Sequence, residues 1–477
     1  MPRDCRDCLG IRYRINSLHQ TWKWLHQTIA LHEYLISLSS ADTDTRIIKM
    51  TQFLQRNLLG MSCFMVGLTR RTSSSSLVAA SRSLSTMKKE INLVEEKDIK
   101  KSVFISQSTD IFTNLALEDW LYKNHDFSNH HIMMVWRNDP CVVIGRHQNP
   151  WLEANIPFLT ENDIPLARRN SGGGTVYHDK GNLNVSFFST KERYNRKYNL
   201  ELITRALFRE FGLKADINER QDIVVKQYKV SGTAAKLGRP SAYHHCTLLV
   251  NANKVNLSQA LAKHEAGIET NATQSVRSPI TNLCEENSRV TVDDLQTAVG
   301  WEFLRTPALH IADGGQELIS KQKGFQMINP TNDWFPGLDK IKEELGSWDW
   351  RFGKTPAFKV KRSFAVPSNL LSTGDDFISK EQDSQELCIS MSVESGLIAD
   401  VTLNIPPGLM ASGFHGDASV VTHLKGKKFT SESLDGLQEV LQTTEYDDGV
   451  TDSKGGRKLG EKEQFVANCF DQVVNTM

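Results

Sequence analysis

From about residue 100 onward the chain alternates short apolar runs, broken by turn residues, with a few amphipathic stretches. Residues 103–106 read as a strand. Residues 110–123 follow as a helix, with Ile111, Leu115 and Leu121 at helical spacing. Residues 132–136 and 141–144 are apolar runs separated by Arg137-Asn138-Asp139-Pro140, a hairpin signal. Strands are expected again at 164–167 and 183–188. Residues 199–211 have a helical pattern, and Gly212 supplies its stop. Short strands are expected at 223–225, 228–230 and 246–250, and helices at 255–262 and 292–304. Hairpins and helices mixed in this order predict an α+β fold rather than a doubly wound sheet. Phe335-Pro336-Gly337 suggests a boundary, with a first domain over 87–337 and a smaller accessory domain over 338–446. Residues 447–477, where Gly, Lys and Glu dominate as far as Gln464, read as a flexible tail.

Between the strands at 164–167 and 183–188 lies Arg168-Arg169-Asn170-Ser171-Gly172-Gly173-Gly174-Thr175-Val176-Tyr177-His178-Asp179-Lys180-Gly181-Asn182. Three glycines pack nothing and cost backbone entropy. Their use is close backbone approach to a ligand, with N–H groups facing an anion or a carbonyl. No Gly-Lys-Ser/Thr follows, so this is not a Walker loop. Gly-x-Gly-x-x-Gly is absent and a strand follows, so it is not the dinucleotide fingerprint.

The string closely resembles the Arg-Arg-x-Ser-Gly-Gly-Gly-x-Val-Phe/Tyr-His-Asp-x-Gly-Asn signature of the lipoate–protein ligase and lipoyltransferase family. Downstream, Lys229-Val230-Ser231-Gly232-Thr233-Ala234-Ala235-Lys236 looks like the family's Lys-Val/Ile-Ser-Gly-x-Ala motif. Tyr243-His244-His245-Cys246-Thr247, Asn271-Ala272-Thr273, Ile328-Asn329-Pro330-Thr331, Trp334-Phe335-Pro336-Gly337 and Phe352-Gly353-Lys354-Thr355-Pro356 resemble the animal mitochondrial branch. The resemblance covers residues 103–365. It implies a biotin/lipoate ligase-like catalytic domain, a mixed and largely antiparallel sheet with flanking helices, plus a small C-terminal accessory domain.

The same resemblance implies a lipoyl amidotransferase. Such an enzyme moves a lipoyl group from lipoyl-AMP, or from the lipoylated glycine-cleavage H protein, to a lysine of the lipoyl domains of 2-oxoacid dehydrogenase E2 subunits. The alternative is an ATP-dependent lipoate–protein ligase that carries out both adenylation and transfer. ATP and Mg²⁺ enter only under that alternative; otherwise no tightly bound cofactor and no metal are expected. A biotin ligase fits less well, because its loop is Gly-Arg-Gly-rich. A lipoyl carrier domain would need an exposed Asp-Lys-Ala hairpin, whereas Asp179-Lys180-Gly181 sits inside the ligand loop.

An amide between a carboxyl group and an amine requires an activated acyl donor. The protein must then bind an apolar chain, polarise a carbonyl and admit a lysine. Lys229 is the expected catalytic residue: its ammonium can donate to the donor carbonyl and an adjacent phosphate together. Lys236 is given a supporting part. Gly173 and Gly174 would let backbone approach the adenylate. Tyr177 would face the acyl tunnel, and Arg169 either holds the loop, approaches the phosphate or makes a structural salt bridge. Asn182 would bond the ligand or the loop. Arg220 and Asp222 resemble the family's Arg-x-Asp pair, which contacts the nucleotide and orients the lysine. Thr233, Thr247 and Thr273 could supply hydroxyls.

His178-Asp179 invites a general-base reading, but the family pattern treats the pair as loop scaffold. His244 and His245 are adjacent on a strand, so their rings face opposite ways and do not share a metal. Cys246 reads as a buried structural thiol.

The formal net charge is zero, with 56 Lys+Arg against 56 Asp+Glu. It implies no general attraction to nucleic acid or anionic membrane. No apolar run reaches the roughly eighteen residues of a membrane span. Of the eight cysteines, the Cys5-x-x-Cys8 pair reads as a coincidence rather than a zinc or redox site, and the scattered rest read as reduced thiols.

Residues 1–86 differ in kind. Arg46, Lys49, Arg56, Arg70, Arg71 and Arg82 occur among many serines with no acid between residues 46 and 84, which reads as a mitochondrial matrix presequence. Residues 1–45 fit that reading poorly, and Met50 or Met61 is the more conventional start. Arg82-Ser83-Leu84-Ser85-Thr86 resembles a matrix-protease site. A mature N-terminus at or near Ser85 is therefore expected. Terminal sequencing of protein taken from mitochondria checks this, and an intact Met1 there would refute processing.

Overall fold

The chain divides into two units, Met1–Asn92 and Leu93–Met477. The computed structural model describes residues 94–263, 267–371, 385–410, 414–419, 424–433 and 460–475, all in the second unit. The expected presequence and the Cys5/Cys8 pair lie outside the described residues.

In chain order the first part runs β1 (Lys100–Ser106), α1 (Ile111–Asn124), β2 (His130–Trp136), β3 (Cys141–Ile144), β4 (Leu166–Arg168), β5 (Val176–His178), β6 (Asn182–Thr190) and α2 (Arg196–Phe211). It continues through β7 (Asp216–Ile217), β8 (Ile223–Val225), β9 (Tyr228–Lys229), β10 (Ser231–Leu237), β11 (Ser241–Leu249), α3 (Lys254–Ala260), β12 (Ile268–Thr270), α4 (Val292–Arg305) and β13 (Gly324–Ile328). Then come α5 (Leu338–Gly346), α6 (Trp348–Arg351), β14 (Phe358–Ala365), β15 (Glu386–Glu394), β16 (Leu397–Ile405), β17 (Gly416–Ser419) and α7 (Glu461–Asn475).

The main sheet has the order β10-β11-β6-β2-β1-β13. Its first three pairings are antiparallel and its last two, β2·β1 and β1·β13, are parallel. One face buries Met133, Val135, Val185 and Phe187 against Leu200, Ile203 and Leu207 of α2 and Leu295 and Val299 of α4. The other buries Ile132, Met134 and Phe188 against Leu115, Leu117 and Leu121 of α1. Both faces are covered, so these strands read as continuous apolar runs rather than alternations. Asp110 caps α1 through its side chain, and Gly212 ends α2 at φ 64°.

The turn at 137–140 does not make a hairpin. β2 pairs in the main sheet, while β3 is the centre of a separate three-stranded sheet, β4-β3-β5. The Asn114 side-chain amide holds the turn by donating to Arg137 O and Asn138 Oδ1, and Asp139 N donates to Thr109 O. The chain is thereby led out of one sheet and into the next.

The boundary at Phe335-Pro336-Gly337 is not where the second layer starts. Leu338 and Leu345 of α5 and Trp350 of α6 belong to the same core as α1. The second sheet, β12-β14-β15-β16-β17, begins at β14 and recruits β12 from within the first segment. The tail expectation also fails over α7. Cys469, Phe470, Val473 and Val474 are buried with Leu387, Met391, Val401 and Phe429 of the second sheet's core. The Gly- and Lys-rich stretch ahead of α7 hides an amphipathic segment that has a face to bury. Truncating Phe470, which is 2 % exposed, to alanine should therefore cost about 3–5 kcal/mol. Chemical denaturation of the whole chain checks this; a loss below about 1 kcal/mol would put α7 outside the core.

Candidate functional site

The glycine loop joins β4 to β5, both paired with β3, so the strand that follows it is 176–178 rather than 183–188. The two arginines are buried beneath it, Arg168 at 0 % and Arg169 at 5 % exposure. Arg169 Nη2 donates to Gly172 O at 2.6 Å and Gly174 O at 2.7 Å. Its Nη1 donates to Val143 O and its Nε to Ser171 Oγ. Arg169 thus holds the loop, and none of these partners is a carboxylate. Arg168 donates to the carbonyls of Gln148, Arg146, Trp350 and Arg351 and to Thr355 Oγ1. Gly173 adopts φ 87°, and a Cβ on Gly145 would meet Gly173 O at 2.2 Å. Glycine is required at both positions.

A cavity of about 290 Å³ opens beside this loop. Its buried end is walled by Leu115, Trp136, Val143, His178, Asn184 and His245. The rest of its wall carries Arg169, Gly173, Gly174, Arg220, Asp222, Lys229, Thr233, Thr247 and Thr273. A second cavity of about 600 Å³ shares Thr175, Val176, Lys229, Gly232, Thr247, Ser275 and Val276 with the first and adds Lys254, Lys263 and Arg277. Lys229 stands where the two meet.

Lys229 is fixed on both sides. Its N–H donates to Pro279 O, its carbonyl accepts from Thr281 N, and it pairs across β8 with Val224. Its Nζ lies 2.9 Å from Asp222 Oδ1, and that carboxylate is buried. Arg220 is exposed at the rim. Thr233 Oγ1 donates to Gln221 O, Thr247 Oγ1 accepts from Gly232 N, and the Thr273 backbone donates to His147 O.

Two expected residues sit elsewhere. Tyr177 does not face the first cavity. Side chains alternate along β5, so Val176 and His178 point into it. Tyr177 packs with Val142, Ile144, Leu166 and Leu159 on the opposite face, where it lines the second cavity. Asn182 is fully buried and lines neither cavity; its Nδ2 donates to Asn184 Oδ1, and it is Asn184 that reaches the wall. Lys236 is also apart, held by Asp119 at 3.0 Å and lying over the Tyr122 ring.

His244 and His245 do point to opposite faces. His244 stacks on Phe187, while His245 bonds Glu118 Oε1 and Ser171 Oγ, each at 2.8 Å. Asp179 accepts from Gly181 N and Asn253 N, a scaffold position. Burial pushes the Cys246 thiol up to about 12, which leaves it a poor nucleophile at neutral pH. Sequence reasoning missed Glu118, Trp136, Ser171 and the strap at 274–276. In the strap Ser275 Oγ accepts from Thr175 N and its N–H donates to Glu153. Glu118 carried a signal, an acid among the apolar positions of α1.

The chain's residues 110–304 match the model of the lipoyl protein ligase A/B catalytic domain. It is 41% identical over 304 residues to the mitochondrial lipoyl amidotransferase of Mus musculus, covering 63% of this chain and 75% of that protein. It is 37% identical over 363 residues to the mitochondrial lipoyl amidotransferase of Homo sapiens, covering 75% and 90%. Among solved structures, lipoate-bound LipL1 of P. falciparum aligns over 78% of this chain and 99% of its own, at 23% identity and a TM-score of 0.47. With its α+β architecture, the chain belongs to the lipoyl protein ligase and lipoyl amidotransferase family.

Proposed function

We propose that this protein is a lipoyl amidotransferase acting in mitochondria. It would transfer the lipoyl group of lipoyl-AMP, or of a lipoylated H protein, to the acceptor lysine of E2 lipoyl domains. The observation that carries the reading is Lys229, held by Asp222 at the junction of the two cavities. The first cavity ends among Leu115, Trp136 and Val143 and suits an apolar acyl chain. The second, with Lys254, Lys263 and Arg277 on its wall, suits a phosphate-bearing group.

With lipoyl-AMP as the donor, its carbonyl would lie at Lys229. The acceptor amine attacks the carbonyl carbon, the new C–N bond forms, and the bond from that carbon to the phosphate oxygen breaks. The amine's surplus proton leaves to solvent, and AMP departs. Lys229 donates to the oxyanion and to the leaving phosphate, while Asp222 keeps the ammonium aimed. The Gly173 and Gly174 backbone lets the donor come close, and Arg220, Thr233, Thr247 and Thr273 surround it.

Replacing Lys229 with alanine should leave the fold intact and reduce transfer about 10²-fold or more, the scale of a lost electrostatic donor. Mass spectrometry of an apo lipoyl domain reads the transfer and circular dichroism the fold. Near-wild-type transfer by a folded variant would remove Lys229 from the mechanism.

The donor is decided separately. Efficient transfer is expected from lipoyl-AMP or the lipoylated H protein, and little or none from free lipoate with ATP and Mg²⁺. Robust pyrophosphate release with free lipoate would instead make the protein a complete ligase.

A further inference from the structure

His178 is 3 % exposed and lines the first cavity, yet its Nε2 has no hydrogen-bond partner among the described residues. A buried polar atom without a partner is uncommon and calls for an occupant. The surrounding network fixes which kind of atom it is. The Asn114 side-chain amide donates to Ser108 O and Arg137 O, and its Oδ1 accepts from Ser106 Oγ. Its orientation is therefore set, and its Nδ2 also faces Asn138 Oδ1 at 3.0 Å. That leaves Asn138 Nδ2 to donate to His178 Nδ1 at 2.9 Å. His178 Nδ1 is thus an acceptor, and in the neutral ring the proton sits on Nε2. Burial, then Arg169 and His245, hold the imidazole down to about 3, so it stays neutral at any physiological pH. The Trp136 ring stands edge-on to it at 6.0 Å. Asn184, on β6 of the main sheet, also leaves its Nδ2 unpartnered at the same wall.

We infer that His178 is a specificity-determining residue that presents a fixed N–H donor to an acceptor atom carried at the far end of the acyl chain. The inference rests on the first cavity being the acyl site. A plain alkyl chain offers no acceptor there and would leave the donor buried and unpaired. A ring sulfur is a weak acceptor but a real one. The cavity then reads the sulfur-containing ring, not chain length alone. Tyr177, at the neighbouring position, faces the other cavity and has no part in this.

The test compares two non-hydrolysable acyl-sulfamoyl adenosines by calorimetric titration of the full chain. One carries the lipoyl group and the other its ring analogue with both sulfurs replaced by CH₂. The wild-type protein should bind the lipoyl compound about ten-fold more tightly, within the range for one buried donor left unpaired. His178→Phe, checked for folding by circular dichroism, should bring the ratio close to one; His178→Leu serves if the first variant does not fold.

Equal affinity of the wild-type protein for the two compounds overturns the inference while leaving the transferase reading intact. A ratio unchanged in a folded variant overturns it too. Failure of the wild-type protein to bind either compound overturns the acyl-site reading itself.

Discussion

Two adjacent buried arginines determine what the rest of the site can be. A run of three glycines has no side chains with which to hold a shape, and its entropy favours many shapes. Arg169 supplies the missing interactions from below, and its planar fork meets two carbonyls of the loop and a third on β3. Burying a guanidinium is costly unless its donors are met. Here they are met by carbonyl and hydroxyl oxygens, so the charge is not cancelled by a carboxylate. Desolvation draws both arginines down to about 10, still far above neutral pH. The loop is therefore shaped by a cation that remains a cation, and its field favours an anionic ligand at the exposed backbone. Arg168 ties the turn at 145–148 to α6. It binds the carbonyls of Trp350 and Arg351, and Trp350 Nε1 returns a bond to Arg168 O. α6 is for that reason part of the catalytic layer and not of the accessory sheet.

This explains which features were legible in the sequence. Apolar runs located the strands of the main sheet, because a strand buried on both faces must be apolar throughout. The α1, α2 and α4 helices announced themselves by period and by caps at Asp110 and Gly212. β10 has the sequence Ser-Gly-Thr-Ala-Ala-Lys-Leu and little strand propensity of its own. It forms because β11 offers it an edge and Thr247 Oγ1 receives Gly232 N. The partition of β2 and β3 between two sheets was not legible, since a turn at 137–140 has the same local chemistry whether or not its flanking strands pair. Nor was α7: its partners lie on β14 and β15, and local composition alone did not reveal that packing.

The site was legible by motif and less so by face. Lys229, Asp222, Gly173 and Gly174 come together at one cavity. Tyr177 and Asn182 did not, and the reason is the period of a strand. A motif gives identities in order, while a strand sends alternate residues to opposite faces. Within Val176-Tyr177-His178 the aromatic residue that draws attention is the one turned away. The same rule separates His244 from His245: only His245 enters the polar cluster of Glu118 and Ser171 behind the cavity.

The groups around the first cavity are arranged to hold charge and protons still. Cys246 is kept a thiol by burial, and His178 is kept neutral with its proton placed by Asn138. Neither is poised to attack or to exchange a proton at neutral pH. Acyl transfer from a donor already activated as a mixed anhydride needs neither. The nucleophile comes with the acceptor, and the leaving phosphate needs only a cation beside it. Under the proposed transfer, the chemistry would fall to one aimed ammonium, Lys229 on Asp222, and the remaining polar groups would serve recognition and loop shape.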